Sequence, residues 1–228
     1  MWSELIDSDK SSYIPCNSCV NGYLKVPKEN STIGFNYEVC DCLTQREWLL
    51  TCNKNLGLAN LPARLKTHFK FDKYDFDKFK KETLFLLLET TEDKNWSYIW
   101  GGPGSGKTFS AVLLAKLAIM LGKSVYFTGV TKMLEGLRPD GLDKTILQRC
   151  EDVDLLILDD IGQEKSSQWV RERLYLIIDS RWNSMKKTIF TSNFNTENLK
   201  TSISEAVYSR VKGESVELHL STLKDKRL

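Results

Sequence analysis

A chain of 228 residues, 41% hydrophobic and 27% charged, suits one medium globular domain with a small appendage. No apolar run approaches the roughly 20 residues of a membrane span, and the Met1–Asp7 start lacks the basic and apolar parts of a secretion signal, so a cytoplasmic location is expected. A net charge of +2 neither requires nor excludes a nucleic-acid partner.

Four of the six cysteines lie close together near the start of the chain, as Cys16-x-x-Cys19 and, after a gap of twenty residues, Cys40-x-Cys42. In a cytoplasmic chain such pairs point to metal binding rather than disulfides. Each pair places two thiolates on a tight turn, and the two together complete a tetrahedral Zn²⁺ site. Gly22 supplies a turn before a strand, and Val39 ends a returning strand just ahead of the second pair, the outline of a zinc ribbon. Few large apolar residues lie here, so a metal staple accounts for folding better than a core does. Four unliganded cysteines in a small lobe is the other reading, since Cys-x-Cys is the less common half-site. Cys52 and Cys150 have no partner at ligand spacing and read as packing residues. A helix is predicted over Thr44–Asn55, with Trp48 and Leu49 on one face and Gly57 at its end. Pro62 cannot continue a helix, so the boundary falls there, giving a ribbon domain over 1–60 and a second domain over 61–228.

Phe69, Phe71, Tyr74 and Phe76 alternate with Lys and Asp, a strip that either borders a base pocket or packs on the next domain. Asp77–Glu89 has helical periodicity through Phe79, Leu84, Leu87 and Leu88. Next comes the centre of the chain. The apolar run Ser97–Trp100 meets Gly101-Gly102-Pro103-Gly104-Ser105-Gly106-Lys107-Thr108, and a helix opens at Phe109 and runs to Leu121. Strand, glycine loop and helix are the context in which G-x-x-x-x-G-K-[ST] binds phosphate, and the nucleotide-contacting stretch is Gly101 to Phe109. The loop's N–H groups point inward and the helix N-terminus adds partial positive charge. Lys107 reaches the β- and γ-phosphates and the Thr108 hydroxyl ligates Mg²⁺.

Ser124–Thr128 reads as a buried strand, with helices around Lys132–Leu137 and Leu142–Cys150 broken by Arg138–Gly141. Val153 to Asp160 is an apolar strand ending in two carboxylates, the Walker B pattern. Asp159 is placed to hold Mg²⁺ and Asp160 to orient and polarise an attacking water. Gln168–Ser184 is a long amphipathic helix with Leu174, Ile177, Ile178 and Trp182 on its apolar side. Thr188–Asn193 is another buried strand, whose terminal Asn193 amide can bond a γ-phosphate or a lytic water. A last helix over Glu197–Lys212, a strand over Glu214–Leu220 and a basic tail over Leu223–Leu228 complete the chain. Alternating strands and helices imply a parallel sheet covered on both faces, with ligand at the strands' C-terminal ends.

Together these blocks resemble the AAA+ ATPases, and more narrowly the helicase loaders of the DnaC/DnaI type and the related IstB transposition ATPases. The likeness rests on the cysteine ribbon, Leu-Pro-Ala-Arg at 61–64, the phosphate loop, Leu-Leu-Ile-Leu-Asp-Asp-Ile-Gly at 155–162 and the run from Ile177 to Asn193. It implies a P-loop AAA+ α/β fold with a small N-terminal zinc-binding domain. It makes Lys107 and Thr108 Walker A residues, Asp159 and Asp160 Walker B, Asn193 sensor I, and Arg210 an arginine finger acting on a neighbouring subunit. A finger supplied in trans makes hydrolysis depend on assembly. The implied activity is ATP-dependent loading of a hexameric replicative helicase onto single-stranded DNA, with ATP, Mg²⁺ and Zn²⁺ as cofactors and self-association through the ATPase domain. Lys132, Arg138 and Lys144 are the candidate DNA contacts, or else a solvated basic face. Two departures stand out. Many AAA+ proteins carry Glu where this chain has Asp160, which implies slow hydrolysis. The sequence after the last strand leaves no room for a full C-terminal lid, with Arg227 the only late candidate for sensor II. The rival readings are a transposition helper on duplex DNA and an ATP-switched adaptor that does not hydrolyse.

Overall fold

The computed structural model describes residues 23–27, 35–39, 41–67, 95–141, 145–164 and 167–220. The first two of these segments pair as an antiparallel hairpin, β1 (Tyr23–Pro27) and β2 (Phe35–Val39), with Tyr23 opposite Val39. This is the outgoing and returning pair of strands expected around Gly22 and Val39. Cys16, Cys19 and Cys40, with the aromatic strip and the helix expected over 69–89, lie outside the described residues.

Helix α1 spans Asp41–Leu58, longer than expected at both ends, and runs through Gly57 instead of stopping there. Its C-terminal end packs on the main domain. The Cys52 thiol is buried and donates to the Ile119 carbonyl, while Ala59 and Leu61 join the apolar cluster under the main sheet. Packing therefore crosses the boundary expected at residue 60. A short α2 (Ala63–Thr67) closes this segment.

The main sheet is parallel, in the order β4-β5-β6-β3-β7, from β3 (Trp96–Trp100), β4 (Val125–Gly129), β5 (Leu155–Asp159), β6 (Lys187–Ser192) and β7 (Ser215–His219). Side chains alternate across a strand, and here the alternation is shared by four neighbours. Trp96, Tyr98, Tyr126, Leu156, Leu158 and Phe190 face one side, and Ile99, Val125, Phe127, Leu155, Ile157 and Ile189 the other. Both faces are covered, so the strands read as continuous apolar runs. On the first side lie α6 (Gln168–Asn183) and α8 (Glu205–Glu214), burying Leu174, Ile177, Ile178, Val207 and Val211. On the other lies α3 (Lys107–Met120), burying Ala111, Leu114, Ala115 and Ala118. Helices α4 (Val130–Gly136) and α5 (Ile146–Asp152) connect β4 to β5.

β4 stands at the edge of the sheet, and an exposed edge invites pairing with other chains. Here the turn after α1 covers it. Ala59 C=O accepts from Phe127 N–H at 2.8 Å, and the Asn60 amide donates to Phe127 C=O at 2.8 Å, so one residue of the edge is satisfied on both sides. Asn60 does this with φ 55, a left-handed conformation that Asn adopts more readily than most residues.

Two expectations need correction. The single helix predicted over Glu197–Lys212 is two, α7 (Thr196–Leu199) and α8, because Ser204 caps the second by accepting from Val207 N–H. Trp182, predicted on the apolar side of α6, is 43% exposed, and Arg181 is buried instead. Its guanidinium donates to Thr188 Oγ1 at 2.9 Å and to the carbonyls of Cys150 at 2.8 Å, Val153 at 2.9 Å and Lys187 at 2.6 Å. A buried charge is tolerable when hydrogen-bonded in this way. Burial pulls the Arg181 pKa down to about 10, which leaves it charged at neutral pH.

Candidate functional site

The phosphate loop leaves β3 between its two neighbours. Gly101 N–H donates to Ser192 C=O on the β6 side, and Leu220 N–H donates to Trp100 C=O at 2.8 Å on the β7 side. A Cβ on Gly101 would stand 2.3 Å from the Leu220 carbonyl oxygen, so only glycine fits this close approach. Gly106, with φ 97, turns the loop into α3 and aims the helix N-terminus at the loop. Lys107, 6% exposed, donates from Nζ to the Gly101 and Gly102 carbonyls at 2.9 Å each. The ammonium is thus held inside the loop that the sequence assigns to phosphate.

Residue Thr108 follows on the first turn of α3 and donates to Asp159 Oδ1 at 3.0 Å and Oδ2 at 3.2 Å. Asp159 ends β5 on the α3 face of the sheet, in phase with Ile157 and Leu155. Burial pushes its carboxyl above the ordinary range, opposed by hydrogen bonds from Thr191 and Thr108 and by the nearby Lys107 charge. The neighbouring Asp160 carboxylate pushes it further up. Hydroxyl and carboxylate oxygens side by side at the loop fit Mg²⁺, which takes few protein ligands and keeps several waters. No group of three or more His, Cys, Asp or Glu side chains is placed for a metal among the described residues. Of the zinc cysteines only Cys42 falls within them, as the second residue of α1.

The next residue, Asp160, is exposed and has φ 61, a left-handed conformation that Asp, like Asn, adopts more readily than most residues. Thr191 accounts for its conformation. Its hydroxyl accepts from Asp160 N–H at 2.9 Å and donates to Asp159 Oδ1 at 2.6 Å. Ile161 N–H donates to Thr191 C=O at 2.9 Å, and Ser192 Oγ donates to Ile161 C=O at 2.7 Å, so the turn after β5 is laced to the end of β6. Thr191 was legible only indirectly. It lies in the Thr-Ile-Phe-Thr-Ser-Asn block, and alternation puts it on the same face as Asp159.

Asn193 follows β6 and is half-buried. Trp100 pairs with Ser192, which sets Asn193 level with the start of the phosphate loop. Arg210 is elsewhere. On α8 it forms an ion pair with Asp179 of α6, lies over the rings of Tyr175 at 5.3 Å and Trp182 at 5.0 Å, and donates to the Ala206 carbonyl of its own helix. Lys132 and Arg138 line a cleft of about 590 Å³ beside β4, with Asn60, Thr128 and Arg149. The Arg149 guanidinium stacks on Tyr126 at 4.1 Å and donates to Leu58 C=O at 2.9 Å. Lys144 and Arg227 lie outside the described residues.

A parallel sheet with a glycine loop at the tip of β3, and a carboxylate at the tip of the next strand but one, defines a P-loop nucleotide-binding protein of the AAA+ kind. Within that class the chain belongs to the family of IstB-like ATP binding proteins, whose profile matches residues 24–211. The replicative helicase loader DnaC of Buchnera aphidicola subsp. Baizongia pistaciae is 28% identical over 123 residues, 51% of this chain and 50% of that protein. The chain therefore spans about half the length of the curated relatives it matches. Among solved structures, DnaI superposes with a TM-score of 0.56 at 19% identity, over 77% of this chain and 93% of that one. The DnaC helicase loader superposes with a TM-score of 0.53 at 24% identity, over 68% and 95%. Both share the AAA+ fold. No helix among the described residues is long and apolar enough to cross a membrane.

Proposed function

We propose that this chain is an ATPase that loads a hexameric replicative helicase onto single-stranded DNA. The observation that carries the ATPase part is the convergence of Lys107, Thr108, Asp159 and Thr191 at the mouth of the phosphate loop. Lys107 exchanges the loop carbonyls for β- and γ-phosphate oxygens, and the loop N–H groups with the α3 terminus bind the remaining phosphate charge. Thr108 and Asp159 hold Mg²⁺, which neutralises charge on the phosphates when bound. Asp160, held on the exposed side of the turn, orients the attacking water, and Asn193 bonds the γ-phosphate or that water. Arg210 acts as the finger on a neighbouring subunit's nucleotide, so hydrolysis rises with self-association.

The loader part draws on the relatives named as helicase loaders and on the cysteine-bearing N-terminal segment. In this reading residues 1–60, folded around Zn²⁺ on Cys16, Cys19, Cys40 and Cys42, grip the helicase in the cytoplasm, and residues 61–228 are the ATPase. Light scattering on the protein mixed with its replicative helicase, ATP and Mg²⁺ tests it. A stable complex lost on Cys16→Ser and Cys19→Ser is expected. Equal helicase loading with and without the protein overturns the loader reading. The IstB family match favours a second reading, a transposition helper. ATP-dependent filaments on duplex DNA, with no helicase complex, would decide for it.

A further inference from the structure

We infer that Thr191 is a positioning residue for the hydrolytic site, its hydroxyl fixing the Asp159 carboxylate for Mg²⁺ and the Asp160 backbone for the lytic water. The inference rests on the ATPase reading above. Thr191 is fully buried, at 0% exposure, on a strand position where Val or Ile would serve packing equally well. A hydroxyl has one proton to give and lone pairs to receive. Asp160 N–H is a donor only, so the Thr191 proton is committed to Asp159, at 2.6 Å, and a lone pair to Asp160 N–H, at 2.9 Å. One side chain thereby holds the Asp159 carboxylate and the Asp160 backbone together.

The two aspartates need this help for different reasons. Asp159 carries its charge in a poorly hydrated place, with Thr108 as the only other hydroxyl bonded to it among the described residues. Thr108 is itself a proposed Mg²⁺ ligand, whereas Thr191 has no part in holding the ion and keeps its bond to Asp159. Asp160 sits at φ 61, an uncommon conformation that Asp tolerates and that the Thr191 bond to its N–H helps to hold. The bonds from Ile161 N–H to Thr191 C=O and from Ser192 Oγ to Ile161 C=O extend the same clasp along the turn. Ser192 is followed at once by Asn193.

Groups that orient a metal ligand from behind matter nearly as much as the ligand, and their loss costs roughly 10- to 100-fold in metal affinity or activity. The test is the Mg²⁺ dependence of fluorescent mant-ATP binding, with turnover measured beside it, in wild type, Thr191→Val and Thr191→Ser. Thr191→Val keeps the shape and removes the hydroxyl. It is expected to bind metal-free mant-ATP as wild type does, to need roughly 10-fold or more Mg²⁺ for half-saturation, and to lose turnover through kcat rather than KM. Thr191→Ser keeps the hydroxyl and is expected to stay near wild type in both. A wild-type Mg²⁺ midpoint and turnover in Thr191→Val overturn the inference. If Thr191→Val does not fold, Thr191→Ala read against Thr191→Ser decides the same question. Wild type that binds no mant-ATP at all overturns the ATPase reading itself, an outcome distinct from normal binding that ignores position 191.

Discussion

Replacing Arg181 with methionine removes one of the largest buried side chains and its charge while keeping most of its volume. Four close acceptors lose their donor: Thr188 Oγ1 and the carbonyls of Cys150, Val153 and Lys187. Each buried group left unpaired costs about 1–3 kcal/mol, and the simple sum overstates the total because the carbonyls share one relaxing region. We therefore expect Arg181→Met to destabilise by about 4 kcal/mol, which for a domain of this size lowers Tm by roughly 10 °C. The site sits where α6 meets the starts of β5 and β6, at the opposite end of those strands from the phosphate loop. Nucleotide affinity of the folded fraction should therefore not change. Urea unfolding followed by circular dichroism gives the stability, and a mant-ATP titration at low temperature gives the affinity. A loss below about 1 kcal/mol would refute the reasoning, because it would mean water satisfies these carbonyls once the guanidinium is gone.

Two further substitutions probe the site itself. Gly101→Ala drives a Cβ to 2.3 Å from the Leu220 oxygen, a backbone atom, so the loop must shift. We expect about 1–3 kcal/mol of destabilisation and weaker mant-ATP binding, read by thermal melts and titration. Asp179→Ala releases Arg210 from its ion pair, whose side chains are 21% and 26% exposed, so stability should fall by less than about 1 kcal/mol. If Arg210 acts in trans, ATP hydrolysis measured against protein concentration should rise more steeply in Asp179→Ala. A flatter dependence would instead assign Asp179 to presenting the arginine.

The residues that act through local order were legible in the sequence. The glycine loop declares itself because a strand, a turn requiring glycine and a helix succeed one another without interruption, and Asp159 does so because an apolar run ends in carboxylates. Alternation along β3, β4, β5 and β6 separates the two faces of the sheet as the sequence implies. What escaped is long-range. Ala59 and Asn60 belong to no apolar period, and their value lies in meeting Phe127, a partner that only folding brings near. Arg181 broke the hydrophobic face of α6 because a charge reads as exposed unless its acceptors are known, and these lie on α5, the turn after it and β6. The helix break at Ser204 was written in the sequence, as a capping residue that follows Thr201, Ser202 and Ile203, none of them a strong helix former.

The clasp of Ala59 and Asn60 on β4 also gives α1 a mechanical character. An 18-residue helix is about 27 Å long, and its C-terminal end is the one held. Cys52 and Asn55, bonded to the Ile119 and Lys123 carbonyls, fix its last two turns to α3 and the turn after it. The clasped strand is next to the one carrying Asp159, and Arg149 braces the helix from the far side through Leu58. The edge of the sheet and the base of α1 are therefore joined as one piece.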